Sequence, residues 1–390
     1  METASPVYSA AQELREGGRE VARQALLAAR KRTLLLADAY ADALRPAGMR
    51  IAWQATLNPP LWEWGHVAWF QEWWIARNRQ RSRGTRCDPD HERAPSLMSA
   101  SDKLYDSSRV AHATRWDLPL PGEKGAREWM AATMASTLDA LEGLPARAGD
   151  DELYFFRLVA LHEEMHAEAA VYMARGLGID LPPAALRPVE PLAGNCGALR
   201  IPAQEFIAGW QGAGFAFDNE LHNVRVDLRA FEIDAEPVSE SRFREFAEAG
   251  GYHERRWWND EGWAWLQANG ASARADEAQA PATHLAAFEA DAWCRWAGRR
   301  LPTEFEWECA ALTQPAFHWG QVWEWTASPF VAYPGFAPHP YRDYSAPWFG
   351  TRRTLRGACA ATSPRLAHPR YRNFFEPHRA DIFAGFRSCA

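Results

Sequence analysis

The chain has 390 residues, 47% hydrophobic and 24% charged, which is enough for two ordinary folded domains and excludes a disordered or fibrous protein. A net charge of -7 with no long basic run leaves no electrostatic footprint for nucleic acid or an anionic membrane surface, so small molecules are the expected partners. No stretch approaches the roughly 20 apolar residues of a membrane span, the first twenty residues hold no apolar leader core, and Cys87, Cys196, Cys294, Cys309, Cys359 and Cys389 form no CxxC pair, so a cytoplasmic protein is expected.

From residue 11 to about 178 the pattern is helical, with periodic segments near 11–46, 59–79, 125–143 and 151–175 separated by Pro, Gly and Asp. Four long helices predict an antiparallel bundle. The second is expected to open at Asn58-Pro59-Pro60, a cap residue followed by prolines that the first turn tolerates. Positions 62, 66, 69, 70 and 73 of that helix share one stripe, aromatic except for His66. The 20 tryptophans of the chain, many in runs such as Trp62-Glu63-Trp64 and Trp73-Trp74, are read mainly as core.

The fourth helix is expected to open at Asp150-Asp151 and to stop at Gly176 or Gly178. It carries His162 and His166 four residues apart, on the face that also holds Phe155, Leu158, Ala169 and Met173. Two imidazoles buried together need hydrogen-bond partners or a metal. A lone histidine such as His66 is more often a core residue than a ligand. Three inward histidines from two helices reverse that preference. The intervening Glu163 also completes an HExxH pattern, which in a zinc protease would make it a general base in an open cleft. A helix buried in a bundle argues against that reading and leaves Glu163 and Glu168 as supporting or solvated residues.

Residues 181–199 begin with four prolines in fourteen positions and are read as a linker between a helical domain, 1–180, and a second domain, 200–390. Beyond 200 the pattern is of short alternating strands, with Val224, Val226 and Leu228 facing one way, and of helical pieces near 239–249 and 285–298. The fold class expected is therefore multidomain, α followed by α+β.

The pattern Gly65-His66, Trp69-Phe70-Gln71-Glu72 and His162-Glu-Glu-Met-His166-Ala-Glu168 resembles the DinB-like iron-binding domain of the ergothioneine sulfoxide synthases, a four-helix bundle. In the second half, Phe217-Asp-Asn-Glu220, Gly250-Gly-Tyr252, the run from Gly298 to Trp307, the run from Val322 to Ser328, Leu355-Arg-Gly357 and Gly385-Phe-Arg387 resemble the formylglycine-generating-enzyme, or sulfatase-modifying-factor, fold. That fold is a C-type-lectin-like α+β domain. The resemblance spans nearly the whole chain. The runs from Leu57 to Trp62, Trp69 to Arg77 and Leu104 to His112 are similar to the selenoneine synthase branch of the family.

The resemblance implies Fe(2+) held by His66, His162 and His166, with three positions left for the imidazole of hercynine, a chalcogen donor and O2. It implies a proton donor at Tyr344, placed by its distance ahead of Leu355-Arg-Gly357. Asn373 and Phe374 would meet the carboxylate and quaternary ammonium of hercynine. Phe375 stands where thiol-using relatives carry an acidic residue, and Met165 where relatives carry a glutamine near the substrate. Arg109 and Arg115 fall in the loop region that contacts the donor. Phe375 argues against a γ-glutamylcysteine donor bound in the same way, and the resemblance to the selenoneine synthase branch implies a selenosugar donor, with cysteine or γ-glutamylcysteine as the alternative. A true formylglycine-generating enzyme would need two close cysteines, and after Leu355-Arg-Gly357 only Cys359 precedes Cys389. A metal-dependent thiol transferase or a binding module would be marked by zinc and by the absence of oxygen uptake.

Overall fold

Glycine decides the first departure from the predicted helices. In the computed structural model, which describes residues 9–194, 197–272 and 277–390, the segment expected over 11–46 is two helices, α1 (Ser9–Glu16) and α2 (Arg19–Leu44). Gly17 and Gly18 between them are weak helix formers, at about 1 kcal/mol each relative to alanine. The break lets α1 leave the bundle axis. Arg15 at its end then places its guanidinium on the Glu220 carboxylate with two hydrogen bonds of 2.8 and 2.7 Å, tying the N-terminal helix to the second half of the chain. Cys196 and the first eight residues lie outside the described residues.

The remaining helices of the first half are α3 (Pro60–Trp74), α4 (Ser101–Tyr105), α5 (Glu123–Glu142) and α6 (Asp150–Leu177). Helix α2 lies along α6, and α3 packs between α5 and α6. Pro59 is the residue that precedes α3, so Asn58 is not its cap: the Asn58 amide instead donates to Glu63 Oε1 at 2.5 Å. The same helix ends at Trp74 rather than near 79, because the chain turns there and the Arg77 guanidinium closes on Asp102 and the Ala94 carbonyl. The single aromatic stripe expected on α3 is an understatement. From Trp62 to Glu72 every residue is buried, as befits a helix enclosed on all sides. Helix α6 stops where expected, on Gly178 in the left-handed conformation (φ 66°).

Strands enter at Ala198. In chain order the second half contains β1 (Ala198–Ile201), β2 (Gln204–Ala208), β3 (Val224–Leu228), β4 (Phe231–Asp234), α7 (Glu240–Glu248), α8 (Asp260–Asn269), α9 (Ala287–Trp296), α10 (Glu304–Thr313), β5 (Trp323–Pro329), β6 (Arg353–Gly357), β7 (Asn373–Phe375) and β8 (Ala384–Gly385). Strands β1 and β4 pair antiparallel, as do β2 and β3, and a mixed four-stranded sheet has the order β7-β6-β5-β8. Helices α7 and α9 match the two expected pieces. Helices α8 and α10 were not expected, although Thr303 and Glu306 form a reciprocal capping box at the start of α10 that the sequence displays.

A buried charge network fixes where β7 begins. Arg372, fully enclosed just before the strand, donates to both Glu304 oxygens at 2.8 and 2.9 Å and to the carbonyls of Asn219 and Val331. Its neighbour Arg356 on β6 binds Glu308 and Glu304. These pairings anchor the chain just before residues 373–375, the edge strand of the four-stranded sheet. Among the described residues no helix is long and apolar enough to cross a membrane.

Candidate metal centre

His66 projects from the middle of α3, and His162 and His166 from successive turns of α6. One ligand atom from each lies within 4.8 Å of those of the other two. The tautomers follow from the hydrogen bonds. His66 Nδ1 donates to the Tyr105 carbonyl at 2.8 Å, and His166 Nδ1 donates to Glu63 Oε2 at 2.6 Å. Both rings therefore turn an unprotonated Nε2 inward. His162 Nε2 stands 3.2 Å from His166 Nε2. Two nitrogens each about 2.1 Å from one ion sit at roughly that separation.

Burial fits the same use. It holds His66 down to about 3, with His166 adding to the effect, and holds His162 well below the ordinary histidine range. Neutral imidazoles are the form that binds a metal. Phe70 covers His162 face to face, ring centroids 3.5 Å apart, and Trp62 stacks on His66 at 4.8 Å. Gly65 is required by this arrangement: a Cβ there would lie 2.1 Å from the Tyr105 ring, so any side chain would push away the loop whose carbonyl orients His66.

Glu63 is the residue that sequence reasoning missed. Burial alone would raise its carboxyl, yet His166 and His66 hold it below the usual carboxylate range. The available signal was a carboxylate in an otherwise aromatic, buried helix, which demands a partner. We expect Glu63→Gln to weaken metal binding about 10–100-fold with little change in melting temperature. Competition with a chromogenic chelator measures this, and an unchanged affinity would remove Glu63 from the centre.

Glu163 is neither solvated nor directed at the histidines, correcting both expectations for it. Its carboxylate accepts from Arg30 Nε at 2.7 Å in the interior, and Arg30 also donates to Gln71 at 2.6 Å. That placement is opposed to a zinc-protease base. Glu163→Ala strands a buried guanidinium and should cost about 3–5 kcal/mol of folding stability. Denaturant unfolding reads the loss, and metal content should be unaltered. Glu168 is buried too, its Oε1 accepting the Trp323 indole N–H at 2.6 Å across the two halves of the chain.

A cavity of about 250 Å³ opens beside His166, between α6 and the second half. Met165, Glu168 and Tyr172 line one wall, and Trp323, Tyr344, Tyr371 and residues 373–375 the other. Of the three histidines, His166 alone lines this cavity. The structure thus gathers Met165, Tyr344, Asn373, Phe374 and Phe375 around one space. Tyr344 Oη is 3.0 Å from Tyr371 Oη and 3.8 Å from Met165 Sδ, and burial raises its phenol well above the ordinary range. Asn373 Oδ1 accepts from the Phe374 N–H, and the Phe374 ring stacks on Phe330.

The two arginines are elsewhere. Arg109 is largely exposed, paired to Asp106 at 3.2 Å, and lines a separate polar cavity of about 240 Å³ on the far side of Phe70. Tyr341 also faces that cavity, with its ring 6.2 Å from His162 and 5.9 Å from Tyr344. Arg115 lines neither space: it lies over the Trp62 ring, 3.7 Å from the centroid.

Comparison with known proteins extends over both halves. A family model described as a sulfatase-modifying factor enzyme 1-like domain (FGE-sulfatase) matches residues 191–321. The hercynine oxygenase of Mycolicibacterium thermoresistibile is 32% identical over an alignment covering 94% of each chain. That of Mycolicibacterium smegmatis is 31% identical over 95% of this chain and 98% of its own. A formylglycine-generating enzyme of Streptomyces coelicolor is 35% identical over 32% of this chain and half of its own length.

Proposed function

The chain belongs to the hercynine oxygenase family, and from that premise we propose that it is an iron(II)- and O2-dependent selenoneine synthase, joining the selenium of a selenosugar to imidazole C2 of hercynine. The proposal takes residues 1–180 as a DinB-like iron-binding bundle, 181–199 as linker and 200–390 as a formylglycine-generating-enzyme-like domain, in a cytoplasmic protein. One observation carries it: three histidines bring ligand atoms within 4.8 Å of one another, and one of them, His166, lines a cavity built by both halves.

His66, His162 and His166 would hold the iron. Bound iron(II) supplies the activation of O2 that couples a chalcogen to an imidazole carbon. The chain's own residues do the rest. Tyr172, Tyr344, Tyr371 and Phe374 offer ring faces to a quaternary ammonium, and the Asn373 amide offers N–H donors to a carboxylate. Such a cradle fixes the imidazole against the donor and removes much of the entropic barrier to their joining. Tyr344 Oη holds the proton that reduction of O2 requires, kept there by burial.

Donor choice is inferred from what the cavity lacks. Phe375 and Met165 present apolar surface where thiol-using relatives place acidic and amide groups, and the Arg379 guanidinium 5.2 Å over the Phe375 ring is already paired to Asp381. The second cavity, with Asp106, Ser108, Arg109 and tryptophan rings, has the polar and aromatic lining that suits a sugar. The alternative keeps the chemistry and takes cysteine or γ-glutamylcysteine, giving ergothioneine sulfoxide.

The test is anaerobic purification with iron(II), then addition of O2 with hercynine and either a selenosugar or a thiol, reading products by mass. A product in which imidazole C2 of hercynine is bonded to the selenium of the selenosugar is expected from the selenosugar arm. Product from the thiol arm alone would establish the alternative. Coupling of neither donor to hercynine, with another imidazole coupled instead, would overturn the substrate.

A further inference from the structure

Arg115 reaches two of the three histidines by two separate routes, and touches none of them. In the first, its guanidinium lies 3.7 Å over the Trp62 ring, and the same ring system stacks on His66, with centroids 4.8 Å apart and planes 7° from parallel. In the second, Arg115 Nη1 donates to Asn58 Oδ1 at 2.8 Å, Asn58 Nδ2 donates to Glu63 Oε1 at 2.5 Å, and Glu63 Oε2 accepts from His166 Nδ1 at 2.6 Å. Arg115 Nη2 is held by the Val110 carbonyl, and its buried Nε has no hydrogen-bond partner. The Trp62 N–H in turn donates to the Leu104 carbonyl, next to the Tyr105 carbonyl that orients His66.

We propose that Arg115 is a positioning residue for the metal centre: it clamps His66 through Trp62 and His166 through Asn58 and Glu63, and its fixed positive charge biases the centre toward the lower oxidation state of its metal. The inference rests on the metal-binding reading above and replaces a donor contact as the role of Arg115. Three physical points support it. A guanidinium is planar, so one side chain can stack on an indole and donate in its own plane at the same time, which an ammonium cannot do. A fixed positive charge raises the cost of adding positive charge nearby, and Arg115 stands one indole ring away from His66. A carboxylate that accepts from the outer N–H of a metal-bound histidine sets the orientation and basicity of that ligand, and Asn58 fixes the rotation of the carboxylate.

Arg115→Met keeps the length and removes the charge and the donors. Arg115→Lys keeps the charge and loses the plane. Each is loaded with cobalt(II) for chelator competition and with iron(II) for potentiometry, without substrates, beside the parent and Trp62→Phe. Arg115→Met is expected to bind cobalt about tenfold more weakly, the scale of losses from outer partners of a ligand. Its iron couple should move to a more negative potential, since a nearby positive charge that opposed oxidation is gone. Arg115→Lys should recover the potential in greater part than the affinity. In a Trp62→Phe background, Arg115→Met should cost less affinity than in the parent, because one of its two routes is already weakened.

A purely structural pin gives a different result. Arg115→Met would then lower the melting temperature while leaving cobalt affinity and iron potential at parent values, and that outcome overturns the assignment. Should Arg115→Met fail to fold, the lysine variant decides alone: parent-like affinity and potential together would exclude a role at the metal. A parent that binds neither cobalt nor iron would instead sink the metal reading on which the inference rests, so the two failures are distinguishable.

Discussion

His162→Ala is expected to lose iron and turnover together. His162 contributes an inward imidazole 3.2 Å from that of His166, under a ring of Phe70 stacked at 3.5 Å. Removing it leaves two ligands for an ion that needs three to stay fixed. The loss should exceed the roughly 10–100-fold that attends removal of an outer partner such as Glu63. Alanine also opens a hole beneath Phe70, so thermal unfolding of the metal-free variant must accompany the assay. A folded variant with no iron and background activity is the expected result. Retained iron with a near-normal rate would take His162 out of the centre and, with it, the reading of α6 as the metal-bearing helix.

Tyr344→Phe should produce the second large effect, of a different kind. The substitution removes one oxygen from a buried position on the cavity wall, beside Phe217, Tyr371 and Met165, so the fold and the iron content should be unaffected. If Tyr344 holds the required proton, kcat falls about 10²–10⁴-fold while KM for hercynine changes little. Tyr341 is the control the geometry demands. Its ring is edge-on to His162 at 6.2 Å, and burial raises its phenol as it does that of Tyr344. A large fall in kcat for Tyr341→Phe and none for Tyr344→Phe would transfer the proton-donor role to Tyr341. Only two residues separate the two tyrosines, and spacing from a downstream motif was too coarse a ruler to choose between them.

The features legible in the sequence were those set by a strong local period. His162 and His166 on one face of α6 follow from a spacing of four in a helix, and the end of α6 follows from a glycine that can adopt positive φ. The gathering of Met165, Tyr344 and residues 373–375 rested on resemblance, since no period links an α6 residue to a three-residue strand some two hundred positions away. What was illegible depended on partners distant in sequence. Glu63 could be flagged as a buried charge, but its choice of His166 over any other group is a tertiary fact. Glu163 went the opposite way, to Arg30 on α2, because residues one apart on a helix point about 100° apart and its face meets a different neighbour. Asn58 before two prolines had every sign of a helix cap, yet its amide bonds to Glu63 and its carbonyl oxygen to Arg115. The split of α1 from α2 turned on Gly17-Gly18, whose local weakness was visible while the pull of Glu220 on Arg15 was not.

The most direct measurement is anomalous diffraction at the iron edge from crystals loaded anaerobically with iron(II) and hercynine. One iron peak is expected per chain, at about the 2.1 Å of a metal–imidazole bond from the Nε2 atoms of His66, His162 and His166 together, with hercynine in the cavity beside Tyr344. A peak that contacts only one or two of those rings, or iron bound elsewhere in the chain, would contradict the assignment.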